Sequence, residues 1–151
     1  MFARINHMAM ISSDYPLLER YYRSLFGFVN SGRNDPEAST VVGDGNVGLN
    51  ILPRRDGYVG GIDHFGMVVE SLAKVDERMK KASARAGMVK RPSYRPFAAY
   101  SAHDPDGNVF DLAEESSKNL NDVYAERDGE DRDAMFNRFA IRTVNAEEAA
   151  E

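Results

Sequence analysis

The sequence predicts an α+β fold built from two βαβββ units. The stretch "ARINHMAMISSDYPLLERYYRSLFGF", from Ala3, and the stretch "GGIDHFGMVVESLAKVDERMKKASARAGM", from Gly60, share one layout. Each is a short apolar strand carrying a single histidine, followed by a helix with a charged face. Placing His7 on His64 also sets Ile5 on Ile62, Met10 on Met67 and Ile11 on Val68. "DGNV" occurs at 44–47 and again at 106–109, as two copies of one unit require.

The first unit reads in order. Ile5, His7, Ala9 and Ile11 alternate within 4–12, the period of a half-buried strand. Asp14 is placed to cap a helix, with Pro16 in its first turn. Leu17, Leu18, Tyr21, Tyr22, Leu25 and Phe26 follow at helical spacing, and Gly27 ends the run. Short strands are expected at 29–32, 40–42 and 47–52, separated by the turn chemistry of "GRNDPEA" and "GDGN". "GDGNVG" lacks a following helix and a Lys-Ser/Thr pair, so it reads as a hairpin turn and not as a phosphate cradle.

The second unit repeats the order. A strand is expected at 62–69 and a helix at 72–84, with Val75, Met79 and Ala82 on its apolar side and Gly87 closing it. Strands follow at 88–90, 97–102 and 109–113, the last two joined by the tight turn "DPDGN". Residues 1–116 thus form one two-module domain, with modules at about 3–55 and 60–116. Residues 117–137 are polar and rich in charge, a short helix or linker. Residues 138–151 resemble the opening of a further module, cut short, as in a longer parent protein.

Composition narrows the function. The chain has 151 residues, 42% of them hydrophobic, and a net charge of −5 with no basic patch, which argues against nucleic acid as a partner. It has no cysteine, which excludes disulfides and thiolate metal sites. No run approaches the roughly 18 apolar residues of a membrane span, and "MFARINHMAM" lacks the apolar centre of a signal peptide. A cytoplasmic protein is expected.

Candidate chemistry centres on the paired histidines. Two like units packed symmetrically bring His7 and His64 together, and neutral imidazole is a common ligand for Fe, Zn, Ni and Mn. A carboxylate on a neighbouring strand would complete the set. Asp111, between Phe110 and Leu112 in a strand, is an unusual burial unless it is paired or bound to a cation. If residues 104–107 form the hairpin loop, His103 pairs with Asn108, and Tyr100 and Ala102 share the face of Asp111. Tyr100 is then a candidate catalytic group, and His103 points away. Glu114 and Glu115 follow the strand as competing carboxylates.

These residues carry a resemblance. The paired unit openings "INHMAMISSDYPLLERYYRSLFGF" and "IDHFGMVVES", with the closing hairpin "DPDGNVFDL", resemble the vicinal oxygen chelate superfamily of glyoxalases, bleomycin-resistance proteins and extradiol dioxygenases, over about residues 3–115. The resemblance implies a curved, mixed eight-stranded sheet with the site in its concavity, assembled within one chain or by exchange of modules across a homodimer. It implies ligand positions at His7, Asn50, His64 and Asp111. The closing motif usually ends in glutamate, where this chain has Asp111, and Asn50 stands where a second glutamate is usual. Aligning the two "DGNV" stretches would put Leu49 there instead.

Two imidazoles and one carboxylate match the facial triad of non-haem Fe(II) oxygenases. The resemblance therefore implies a divalent metal, with Fe(II) favoured over Mn, Ni or Zn, and an extradiol ring-cleaving dioxygenase acting on a small-molecule substrate with vicinal oxygens. A glyoxalase-type isomerase or lyase and a metal-free binding protein of the bleomycin-resistance kind are the alternatives.

Overall fold

The structure, a computed structural model, describes residues 2–30, 40–43, 47–82, 87–92, 97–117 and 140. The elements run β1 (Ala3–Ser12), α1 (Tyr15–Phe26), β2 (Val29–Asn30), β3 (Thr40–Gly43), β4 (Gly48–Pro53), β5 (Gly61–Val69), α2 (Leu72–Ala82), β6 (Val89–Lys90), β7 (Tyr100–His103) and β8 (Val109–Glu114). The expected linker at 117–137 and further module at 138–151 lie almost wholly outside the described residues. No helix among the described residues is long and apolar enough to cross a membrane.

All eight strands form one mixed sheet in the order β2-β3-β4-β1-β5-β8-β7-β6. The order reads identically outward from its centre: β1 and β5 pair antiparallel, each takes the last strand of its own unit as a parallel neighbour, and the hairpins continue to the edges. The two βαβββ units are therefore joined along their first strands. This is the α+β architecture expected from the sequence.

Local chemistry sets the helices. Asp14 accepts from the Leu17 N–H at 3.0 Å, and Gly27 closes α1 at φ 64°, where a side chain would be strained. At α2 the Ser71 hydroxyl accepts from Lys74 N–H, and Glu114 accepts from Leu72 N–H at 2.7 Å. Glu114 is thus a helix cap. Glu115 is exposed and pairs with Arg4, so neither competes with Asp111.

One face of the sheet is the apolar core. Val42, Leu49 and Ile51 are fully buried with Phe28, and Met8, Met10, Tyr15, Leu18 and Tyr22 pack on them. Each buried aliphatic side chain contributes about 1.5–3 kcal/mol. A one-residue slip would expose all of them, so this set fixes a register that sends His7, Ala9 and Asn50 to the other face.

That other face closes on itself. Val41 of β3 packs against Phe97, which leads into β7. In a flat sheet those strands would lie five spacings of about 4.8 Å apart. Their contact requires the sheet to curl around the face that carries the histidines.

Candidate metal centre

Three side chains converge on this face. His7 Nε2 lies 3.7 Å and His64 Nε2 3.5 Å from the same oxygen, Asp111 Oδ2. The donor atoms of the three residues all lie within 4.8 Å of one another. His7 and Asp111 are 1% and 3% exposed, and the imidazole rings meet edge to face at 5.3 Å. The convergence occurs within one chain.

Strand register explains the reach. A row of paired residues crosses the sheet from Gly48 through His7, Gly66 and Asp111 to Ser101. His7 and Asp111 are thus two strands apart, with Gly66 between them. A Cβ on Gly66 would fall 2.0 Å from His7 Cε1 and 2.2 Å from Nδ1. The missing side chain is the space the imidazole occupies on its way to Asp111.

Each histidine is oriented by the residue before it. Neighbours on a regular strand point to opposite faces, so they could not meet. Here the β1–β5 register shifts between Ile5 and His7 and again between Ala9 and Met10, leaving Asn6 and Asp63 as the extra residues of two bulges. Asn6 Oδ1 and Asp63 Oδ2 each accept from the following histidine's Nδ1 at 2.7 Å. The first bulge also moves Ile5 to the helix side, opposite Met67, and off the His7 face where simple alternation put it.

These bonds fix the tautomers. Asn6 Nδ2 donates to the Phe97 carbonyl at 3.1 Å, and a carbonyl only accepts. Asn6 therefore turns its oxygen to His7, which must carry its proton on Nδ1. Asp63 imposes the same on His64. Both Nε2 lone pairs then face the Asp111 carboxylate, so three electron-rich atoms point at one space. Burial first, and the His64 charge, hold His7 below the ordinary imidazole range, although Asp111 opposes this. Burial alone would raise Asp111, but the facing His7 imidazole, the Ser101 hydroxyl and the charge of the histidines hold it low. The hydrogen bond from His64 likewise lowers Asp63. Two imidazole Nε2 atoms facing an ionised carboxylate are a donor set that a divalent cation fits.

Asp111 has its own anchor. Ser101, directly opposite in β7, donates to Asp111 Oδ1 and leaves Oδ2 for the centre. Arg91 Nη1 donates to Ser101 Oγ at 3.0 Å and lies 3.8 Å from Asp111 Oδ1. Every candidate ligand is thus held through its second polar atom, as metal ligands commonly are.

Tyr100 is placed otherwise than expected. The hairpin pairs His103 with Val109, Ser101 with Asp111 and Tyr100 with Leu112. Tyr100 therefore shares the face of Leu112 and not that of Asp111, and Ser101 takes the place assigned to it. The cause lies in the turn. Asp104 accepts from both the backbone N–H and the side-chain amide of Asn108, which draws Asn108 into the loop and lengthens it by one residue. His103 falls on the Asp111 side of the ladder but is exposed at the strand end.

The register also settles Asn50. Ala9 and Gly66 hold the same place in their units, two residues after each histidine. Their parallel partners are Asn50 and Asp111. Asn50 is therefore the first unit's counterpart of Asp111, and Leu49 is in the core. Its neighbour Val41 stands where Ser101 stands in the second unit, so no hydroxyl anchors it. Asn50 Oδ1 is buried without a hydrogen-bond partner among the described residues.

Comparison with known proteins agrees with this architecture. The family model of the Glyoxalase/Bleomycin resistance protein/Dioxygenase superfamily matches residues 4–112. The chain belongs to this superfamily. No curated protein matches it. Among solved structures it is similar to the 2,3-dioxygenase LapB from Pseudomonas sp. KL28, at 20% identity and a TM-score of 0.61, over 74% of this chain and 40% of that one. It is similar to methylmalonyl-CoA epimerase from Mycobacterium tuberculosis, at 15% identity and a TM-score of 0.53, over 76% and 89% of the two chains. A superfamily member from Vibrio splendidus 12B01 gives 16% identity and 0.55, over 76% and 100%. At these identities the likeness is one of fold.

Proposed function

We propose that the protein is a divalent-metal-dependent enzyme of the vicinal oxygen chelate type, most like an extradiol ring-cleaving dioxygenase. The observation that carries this is the meeting of two imidazole Nε2 atoms and one carboxylate oxygen within 4.8 Å, each with its other polar atom tied down. His7, His64 and Asp111 would hold the cation, and Fe(II) suits two histidines and one carboxylate best. When bound, it supplies Lewis acidity and a template for adjacent substrate oxygens.

The chain's own residues do the rest. Asn6 and Asp63 hold the imidazole protons on Nδ1, which leaves both Nε2 atoms facing the centre. Phe97 packs its ring on His7 at 4.8 Å and excludes water from that side. Asn50 favours the oxygenase over a glyoxalase-type isomerase, since an amide cannot act as the carboxylate base for proton abstraction.

The test is metal content with turnover. The protein reconstituted with Fe(II) is expected to retain about one ion per chain and to consume O₂ when given catechol. His64→Ala is expected to abolish retention. Retention of Ni or Zn with hemithioacetal turnover would move the assignment to the isomerases. A parent protein that retains no divalent metal would leave a binding protein.

A further inference from the structure

Arg91 stands beside the centre, and among the described residues it lacks a full set of partners. It follows β6, and its N–H bonds to the Ala99 carbonyl at 2.8 Å, continuing the ladder in which Val89 pairs with Ser101. Alternation puts its side chain on the face of Ser101 and Asp111, and the contacts confirm it. A guanidinium carries five N–H donors. Among the described residues only Nη1 has a partner, the Ser101 hydroxyl, and Nε is buried with none. The side chain is 28% exposed, so part of it remains within reach of a ligand.

Charge points the same way. Among the described residues the carboxylate paired with Arg91 is Asp111, at 3.8 Å, which is also the one acidic member of the candidate metal set. A divalent cation shared by His7, His64 and Asp111 would take that negative charge for itself. Asp63, bonded to His64, brings the second negative charge of the centre. The two carboxylates cancel a divalent cation, and Arg91 then leaves the loaded site with one net positive charge. An arginine so placed matches a carboxylate in geometry and charge, whereas a neutral ligand would leave it uncompensated.

We propose that Arg91 anchors an anionic group of the substrate, so that the site takes a small carboxylate that also carries two adjacent oxygens. This builds on the cation-centre reading above. It gives the substrate a polarity: the vicinal oxygens lie at the His7–His64–Asp111 end, and the carboxylate lies toward the β6–β7 edge.

The experiment uses the full chain loaded with Zn(II), which does no redox chemistry, and isothermal titration with catechol, 2,3-dihydroxybenzoate and 3,4-dihydroxybenzoate. In the parent at least one dihydroxybenzoate is expected to bind about 10-fold to 100-fold more tightly than catechol, the range of a charge-assisted hydrogen bond. Arg91→Met, kept saturated with zinc, is expected to remove that preference while catechol affinity stays within about 3-fold of the parent. Arg91→Lys keeps the charge without the fork and is expected to retain part of the preference. Equal affinity of the zinc-loaded parent for catechol and both acids would overturn the inference and leave the metal centre standing. An Arg91→Met protein that keeps the preference would reduce Arg91 to a structural role. A parent that binds no zinc would remove the metal centre and this inference together.

Discussion

Gly66→Ala is a direct test of how the centre is built. The added methyl would sit 2.0 Å from His7 Cε1 and 2.7 Å from Asn6 Oδ1, where contacts below 3.0 Å are essentially never seen. The ring must retreat to at least 3.4 Å, but Phe97 packs on it and Asn6 holds Nδ1. Overpacking of this kind costs about 1–3 kcal/mol. Breaking the buried bond from Nδ1 to Asn6 adds about 1–3 kcal/mol. The expected loss is therefore about 2–6 kcal/mol. For a domain near a hundred residues this lowers Tm by roughly 8–30 °C. Displacing Nε2 also removes one donor, so zinc affinity measured by chelator competition should fall by at least about 100-fold, beyond what loss of an outer-shell partner costs. Gly87→Ala, where an added Cβ meets nothing within 4 Å, should melt no more than about 2 °C below the parent. If Gly66→Ala melted with the parent and bound zinc equally, the imidazole would not lie over this glycine, and the row from His7 to Asp111 would be wrong.

Two further outcomes follow from the same geometry. Asp63→Asn keeps an acceptor for His64 Nδ1 but removes its charge, so zinc affinity should drop by about 10-fold to 100-fold with little change in Tm. The metal-free protein should lose stability as pH falls, because an unfolded chain protonates His7 near its usual 6.5 while the buried imidazole resists. His7 contributes at most about 1.4 kcal/mol per pH unit below that value, and Asp111 and Asp63, both lowered, add a loss of the same sign below about 4. Urea unfolding from pH 8 to pH 3 checks this. Stability that rose between pH 7 and pH 5 would contradict a neutral His7.

Much of this was legible in the sequence, for identifiable reasons. Strand period, the Asp14 cap and the Gly27 stop are local signals, and the structure keeps them. The histidine pair was visible because duplication puts like residues at like places. What failed was register. Nothing in the period of the last hairpin says that Asn108 belongs to the turn, yet that one residue exchanges Tyr100 for Ser101. Asn6 and Asp63 were passed over because alternation sends neighbours to opposite faces and a bulge leaves no compositional mark. Their equal placement, in "INH" and "IDH", was the available clue. Phe97 was expected inside a strand. Its backbone is left-handed, at φ 67°, a strained conformation for an aromatic residue, and β7 begins only at Tyr100.

Phe97 also decides what becomes of the halves when they are parted. It belongs to the second unit, yet its ring and carbonyl lie against His7 and Asn6 of the first. The first unit on its own would have an imidazole with an unsecured tautomer, and the second would have a twisted backbone with nothing to hold down. Cut within 54–60 and expressed separately, neither polypeptide should capture a cation, whereas the mixed fragments should regain that capacity as they dock.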